Sequence, residues 1–311
     1  MQSLQVVESR ARSEEVCFRG AQPGDIPAIN ELFIREYGHQ YPYLLNTLPA
    51  IGAFIVAESS DGHVIAFGRA SSYHGYKRVW EFGGLITHTW FRQNGIAKEI
   101  TRVRLDQARA AGVIAVVSEP VCYRQDCASQ ENLLKQGFVM LGIQPFKYPD
   151  IKEKHLGAQP ESVMLAVQYL YGDSGFGCRV LHLPDALKDV PSMLVDRRVL
   201  ARDGVHHPTG SMPKVEWHKP RYGVSTHGSI FADVPVNWPE AKKVTSALLE
   251  DGWRFAAFLP GFGETEDGQI FDYIRLYQPP TKNKLSFDRV HVAAPMIGFK
   301  EFMRVHDPVA Q

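Results

Sequence analysis

The stretch Leu85-Ile86-Thr87-His88-Thr89-Trp90-Phe91-Arg92-Gln93-Asn94-Gly95-Ile96-Ala97 runs from a β-rich segment through Arg92-x-x-Gly95-x-Ala97 directly into a helical pattern. Small residues at a helix start leave backbone N–H groups without intrahelical partners, and the helix dipole adds partial positive charge there. The stretch therefore reads as a candidate cradle for a pyrophosphate. A glycine at a strand-to-helix turn also serves ordinary chain reversal, so the surrounding order of elements has to decide.

Upstream, Val16 to Arg19 reads as a strand. Gln22-Pro23-Gly24-Asp25 reads as a turn and helix start, with Asp25 as N-cap and Ile26, Ile29, Leu32 and Phe33 as the buried stripe. Phe54 to Glu58 and Val64 to Gly68 flank Asp61-Gly62, a hairpin signal. After the glycine loop, Ile96, Ile100 and Val103 recur at helical spacing, with Glu99, Arg102, Asp106 and Arg109 on the opposite face and Gly112 as the stop. A strand over Val113 to Val117, a helix over Ser129 to Gln136 and a strand over Gly137 to Leu141 complete the series.

That order, with Arg92-x-x-Gly95-x-Ala97 and Asn132-Leu133-Leu134-Lys135-Gln136-Gly137-Phe138, resembles the GCN5-related N-acetyltransferase (GNAT) superfamily over about residues 14–150. The resemblance implies an α/β (α+β) fold, a mixed and mostly antiparallel central sheet flanked by helices, with a second smaller α/β domain beyond it. It implies acetyl-CoA or another acyl-CoA as co-substrate. Arg92, Gln93, Asn94, Gly95, Ile96, Ala97 and Lys98 would lie at the pyrophosphate, with Arg92 at the family's Gln/Arg position, and Leu85, Ile86 and Thr87 would run beside pantetheine. It also implies an amine acceptor, either a small molecule or a protein lysine, or a donor carried on an acyl carrier protein.

Composition fits this picture. The 311 residues suffice for one large or two ordinary domains. Lys and Arg number 34 against 34 Asp and Glu, so no overall basic field invites nucleic acid or an acidic membrane. Cys17, Cys122, Cys127 and Cys178 form neither a disulfide framework nor a paired Cys-x-x-Cys zinc pattern, and reduced thiols are expected. The N-terminus carries Glu8, Arg10, Arg12, Glu14 and Glu15 rather than an apolar signal core, and no run approaches the ~20 apolar residues that span a bilayer. The expectation is a cytoplasmic protein without membrane association.

Beyond residue 150, Val163 to Leu170 reads as a long strand, Val180 to Pro184 starts strand-like, and 202–229 is rich in breakers, either linker or lid. Ile230 to Val236 reads as a strand, Pro239 to Glu250 as a helix with Ala241, Val244 and Leu248 on one face, and Asp251-Gly252 as its stop. Trp253 to Leu259 and Asp272 to Tyr277 follow as strands, with Pro260-Gly261-Phe262-Gly263 as a hairpin loop. This order loosely repeats Val113 to Leu141. The domain scheme expected is thus 14–150, a connecting stretch 151–229, and 230–311 as either a degenerate GNAT-like half or an unrelated cap. No second glycine loop precedes Ile230, which argues against a second CoA site.

In the GNAT family the substrate amine attacks the thioester directly, so one group removes a proton, another polarises the carbonyl and a third protonates the thiolate. Glu81 is the first candidate base. It stands six residues before Thr87, an even offset that puts both on one face of a regular strand, and in some lysine acetyltransferases of the family a glutamate at this offset is the base. Glu119, at the end of the Val113 strand, is the second candidate, and His88 a weaker one. Many family members carry a tyrosine where this chain has Leu133, so the proton donor falls to Tyr123, Cys127, Ser129 or solvent. Asp126 replaces a frequent asparagine beside the cofactor arm, and Ser129 joins the cofactor contacts. Tyr37, His39, Tyr41 and Tyr43, with Tyr73, His74 and Tyr76, suggest an aromatic, partly polar acceptor pocket. His206, His207, His218 and His227 match no zinc template, and no metal is expected. The Leu133 substitution also motivates a different class of function, an acyl-CoA sensor or interaction module without turnover.

Overall fold

Alternating apolar residues in the first hundred positions need two covered faces, and two amphipathic helices supply them. In this computed structural model, residues 16–39, 44–49, 52–76, 78–123, 125–148, 161–171, 179–194, 208–218, 229–279 and 286–306 are described. The chain divides into two compact units, 1–116 and 117–311.

The first unit contains β1 (Cys17–Gly20), α1 (Ile26–Tyr37), β2 (Ala53–Glu58), β3 (Val64–Ser72), β4 (Val79–Thr87) and α2 (Ile96–Ala110), and β5 (Ala115–Ser118) crosses the boundary. Strands β1 to β4 pair antiparallel in sequence order. Their alternation puts Phe54, Val56, Phe67 and Ile86 against Ile29, Leu32 and Phe33 of α1. Ile55, Ala57, Ile65 and Ala66 face Ile96 and Ile100 of α2. Full burial of each Val, Leu, Ile or Phe side chain among these stabilises by roughly 1.5–3 kcal/mol. Gly68 permits the close approach of α2, because a Cβ there would stand 2.6 Å from Ile100 Cγ2. The Asp61-Gly62 turn forms as the sequence predicts, with Gly62 at φ +84°.

Asp25 departs from expectation. Pro23 to Asp25 forms a single 3-10 turn, so Asp25 is itself helical in φ and ψ, and its carboxylate turns back to accept from Gln22 N–H (2.7 Å) and from Arg19. It caps the turn, not α1.

The β3–β4 register contains the feature that matters most for the site. Ser71 pairs with Glu81 and Arg69 with Gly83, but Phe67 pairs with Ile86 and Ala66 with Thr87. Three steps along β4 oppose two along β3, a β-bulge at Gly84, whose φ is +58°.

The second unit contains α3 (Ala128–Lys135), β6 (Val139–Tyr148), β7 (Glu161–Tyr169), α4 (Val190–Leu194), β8 (Glu216–His218), β9 (Ile230–Pro235), α5 (Glu240–Glu250), β10 (Arg254–Glu264), β11 (Ile270–Gln278) and α6 (Ile297–His306). Its sheet order is β7-β6-β10-β11-β9-β8, with antiparallel pairing throughout. No helix among the described residues is long and apolar enough to cross a membrane.

The loose repeat expected from sequence has a detailed structural counterpart. Phe138 N–H donates to Leu133 O and Trp253 N–H to Leu248 O, closing α3 and α5 in the same way, each beside a positive-φ glycine, Gly137 and Gly252. In β6 against β7 the register slips between Met140 and Gly142 and again between Gln144 and Tyr148. In β10 against β11 it slips between Phe255 and Ala257 and again between Leu259 and Gly263. Every position is displaced by one constant offset, Gly252 less Gly137 being 115. Pro145-Phe146 thus corresponds to Pro260-Gly261, and Phe146 and Gly261 share positive φ values of 52° and 67°.

The same register corrects two expectations. Pro260 to Gly263 is not the hairpin loop; it is a wide bulge inside β10, and the turn falls at Thr265 to Gly268, where Thr265 N–H donates to Gln269 O. Val180 to Pro184 forms no strand: its backbone contacts are isolated ones, His182 N–H to Val236 O and Val180 O to the Asn237 amide.

Candidate functional site

The cradle predicted from Arg92-x-x-Gly95-x-Ala97 is a left-handed turn opening α2. Gln93 has φ +68° and Gly95 φ +77°. The first bond of α2 runs from Glu99 N–H to Gly95 O (3.0 Å), so the amides of Ile96, Ala97 and Lys98 precede the helical ladder. Arg92, Gln93, Asn94, Gly95 and Lys98 are exposed, and a Cβ on Gly95 would meet nothing within 4 Å. The glycine is required by its φ and not by crowding. Space lies over the turn, with unladdered donors at a positive helix end.

Arg92 is engaged away from the turn. Its Nε donates to Thr87 O (3.1 Å) and its Nη2 to Glu36 Oε2 (2.5 Å), which ties the C-terminal end of α1 to the first residue of the loop. His88 contacts Arg35 (3.1 Å) and packs edge-on to Trp90. Burial, then the nearby Arg35 and Arg92 cations, hold its imidazole below the ordinary 6.5.

The bulge overturns the face argument for Glu81. With one extra residue in β4, Glu81 pairs with Ser71 and shares the α1 face with Phe67 and Ile86, whereas Thr87 pairs with Ala66 on the α2 face. The Glu81 carboxylate and the Arg69 guanidinium both lie beside Gly83, 3.3 and 3.2 Å from where its Cβ would stand. Leu85 and Ile86 lie in and just past the bulge.

Of the aromatic acceptor residues, Tyr37 ends α1 and stacks on Phe33 (6.4 Å between centroids). Tyr73 is fully buried, packed on its own turn against His74 (4.4 Å) and Tyr76 (6.1 Å), so it supplies packing and not an open pocket wall. His74 holds a positive φ of 46°. Tyr41 and Tyr43 lie outside the described residues.

In the second unit, Glu119 is buried and engaged. It accepts from Lys147 Nζ and from Gln144 Nε2 (3.0 Å), with side-chain exposures of 5% for Glu119 and 9% for Lys147. Its charge is thus matched by an ammonium, a poor arrangement for a proton-accepting base and a good one for a fixed strut. Gln144 Oε1 passes the network to Arg275 Nη1 (2.7 Å), and Arg275 grips Asp233 at 2.7 Å through two bonds, while His218 meets Asp233 at 2.8 Å. Burial opposes the Asp233 charge, yet Arg275 and His218 hold its carboxyl far below the ordinary 3.8.

Asp126 caps α3, accepting from Ala128 N–H (3.2 Å). Cys127 is buried at φ +47°, and burial, then Asp126 and Glu131, push its thiol up, opposite to a nucleophile's need. Ser129 is exposed near the start of α3 and Tyr123 is half-buried. Leu133 is buried. Among the described residues no group of His, Cys, Asp and Glu is placed to hold a metal.

Sequence reasoning missed Glu36, Gln144, Lys147, Arg275 and Arg104. Arg104 had a signal: it falls on the buried stripe of α2, four residues after Ile100, where a charge breaks the apolar pattern.

A comparison with family models matches residues 26–138 to the acetyltransferase (GNAT) family. No curated protein matches the sequence. Among solved structures, the chain is similar to a GNAT superfamily phosphinothricin acetyltransferase from Sinorhizobium meliloti in complex with acetyl-CoA (16% identity, 50% of this chain and 88% of that one, TM-score 0.41). It is also similar to the ribosomal-protein-S18-alanine N-acetyltransferase of Escherichia coli (12%, 50% and 94%, TM-score 0.42) and to a GCN5-related N-acetyltransferase from Kribbella flavida (18%, 50% and 98%, TM-score 0.40). The family match thus makes residues 26–138 similar to the GNAT acetyltransferase family.

Proposed function

We propose that this protein is an acyl-CoA-dependent N-acyltransferase, with acetyl-CoA as donor and an amine as acceptor. The observation that carries the reading is the exposed left-handed turn at Gly95, with open space above it and the unladdered amides of Ile96, Ala97 and Lys98 at the positive end of α2. It lies within the segment that matches the GNAT family. The expected domain scheme of 14–150, 151–229 and 230–311 goes with it, the last part as a degenerate half without a donor loop of its own. The matching register slips of β6 and β10 support that assignment.

In this reading the amine lone pair forms a bond to the thioester carbonyl carbon, the carbonyl electrons pass to oxygen, and their return breaks the carbon–sulfur bond. The amine proton leaves to a base, and the thiolate takes one from a donor or solvent. Glu81, directly or through water, is the proposed base. Glu119, paired with Lys147, is assigned to positioning. Arg92 to Lys98 hold pyrophosphate, Leu85 to Thr87 flank the pantetheine arm, with Asp126 and Ser129 beside the cofactor. Tyr123 is the proposed proton donor, and Tyr37, Tyr41 and His74 belong to the acceptor side, with Tyr73 packed behind His74.

The buried Leu133 favours a second reading, an acyl-CoA-binding module without turnover, because leucine donates no proton where the family commonly has a tyrosine. Calorimetric titration with acetyl-CoA, longer acyl-CoAs and free CoA, followed by an amine screen, separates the two. Binding with amine-dependent thiol release supports the enzyme, and binding without release supports the module. Absence of binding to every thioester, with turnover on a phosphopantetheinylated carrier protein, would move the donor to that carrier.

A further inference from the structure

Among the described residues Arg104 is one of the largest fully buried side chains, 2% exposed as a residue. A guanidinium in such a place normally meets a carboxylate, because burying an unpaired charge costs several kcal/mol even after relaxation. Among the described residues no carboxylate is hydrogen-bonded to Arg104. Its Nη1 donates to Arg69 O (2.9 Å) and Gly83 O (3.4 Å), its Nη2 donates to Thr101 Oγ1 (3.1 Å), and its Nε has no partner. The group lies over the Phe82 ring, 4.5 Å from the centroid. Burial pulls its pKa down to about 9, which still leaves it charged near neutral pH.

These contacts join two distant pieces of the proposed donor site. Arg69 and Gly83 are paired residues at the last register point before the β4 bulge. Thr101 in turn donates its hydroxyl proton to Ala97 O (2.9 Å), a carbonyl in the first turn of α2, directly after Gly95 and Ile96. A continuous hydrogen-bonded line therefore runs Ala97 O, Thr101, Arg104, Gly83 O. Gly68 allows it, since a Cβ there would stand 3.2 Å from Arg104 Cζ.

We propose that Arg104 is a positioning residue for the donor, fixing the β4 bulge at a set distance from the Gly95 turn so that one acyl-CoA meets both the loop amides and Leu85 to Thr87. The proposal rests on the donor reading above. An aliphatic residue of equal length would fill the same space more cheaply but would hold neither carbonyl.

The test uses the full chain with Arg104→Met and Arg104→Lys. Two probes are titrated: acetyl-CoA, and adenosine 3′-phosphate 5′-diphosphate, which carries the pyrophosphate without pantetheine. Amide hydrogen exchange over Phe82 to Thr87 is followed without ligand. Expected for Arg104→Met are faster exchange there, acetyl-CoA affinity down about tenfold, and the fragment's affinity unchanged within about twofold. Arg104→Lys should fall between wild type and Met. If Arg104→Met does not fold, the lysine variant carries the comparison alone. Equal losses for both probes would reduce Arg104 to a structural residue, and unchanged values for both would remove it from the site. If wild type binds neither probe, the donor reading fails; unaltered exchange at the bulge would then overturn the clamp as well, and faster exchange would retain it.

Discussion

Gly142 of β6 stands directly opposite Ala257 of β10, and the two are equivalent positions of the two repeats. A pseudo-two-fold relation therefore passes between them, with each repeat presenting the same strand at the same register to the other. The junction is tight: a Cβ on Gly142 would stand 2.3 Å from Ala256 O and 2.5 Å from Ala257 Cα. Gly142→Ala is expected to destabilise the chain by about 1–3 kcal/mol, since backbone and not a flexible side chain must give way. Denaturant unfolding checks this, and wild-type stability for the variant would refute the tight junction.

Gly95→Val should weaken acetyl-CoA binding at least tenfold, because a β-branched residue at φ +77° costs roughly 1–2 kcal/mol and tends to rearrange the turn. Gly95→Asn, which tolerates left-handed backbone, should lose much less. Calorimetry on both variants gives the comparison, and equal affinities would dismiss the cradle.

Glu36→Gln should tighten acetyl-CoA binding by about two- to fivefold at low salt. The carboxylate now holds Arg92 at 2.5 Å, so it competes with an incoming pyrophosphate for that guanidinium and repels the phosphates as well. The gain should shrink at 0.5 M salt. A loss of affinity would mean that Glu36 positions Arg92 instead of withholding it.

Asp233→Asn should cost about 3–5 kcal/mol of stability at neutral pH, as it leaves the buried Arg275 without its counter-charge. The folded carboxyl lies below its ordinary 3.8, so this contribution is complete above about pH 4 and is lost as pH falls through the folded value. The gap between variant and wild type should therefore narrow on acidification below pH 4. Unfolding curves at pH 7 and pH 3 read it directly, and a constant gap would show that the charge is not what stabilises.

Donor stoichiometry should be one per chain. The second repeat reproduces helix closure and bulges but has no Arg-x-x-Gly-x-Ala loop before Ile230, and Asp233 on its first strand is occupied by Arg275 and His218. Two equivalent sites by calorimetry would contradict this.

Local chemistry was legible from sequence. The Asp61-Gly62 hairpin, the amphipathic stripes of α1 and α2, the glycine turn at Gly95 and the Gly112 and Gly252 helix stops all depend on a few neighbouring residues, whose backbone preferences act wherever the segment sits. The strand-helix-Gly-aromatic order of residues 230–259 was legible in the same way. What tertiary structure decided was register and partnership. One extra residue in β4 moves Glu81 to the face opposite Thr87, a change invisible to an alternation count because a bulge forms only when β3 is alongside. Pro260-Gly261 looks like a turn in sequence and lies inside a strand because β11 pairs across it. Glu119 with Lys147, Asp233 with Arg275 and Arg104 with the Arg69 and Gly83 carbonyls join residues far apart in the chain. No local preference selects those partners; burial of each charge does, once packing has removed the water that would otherwise solvate it.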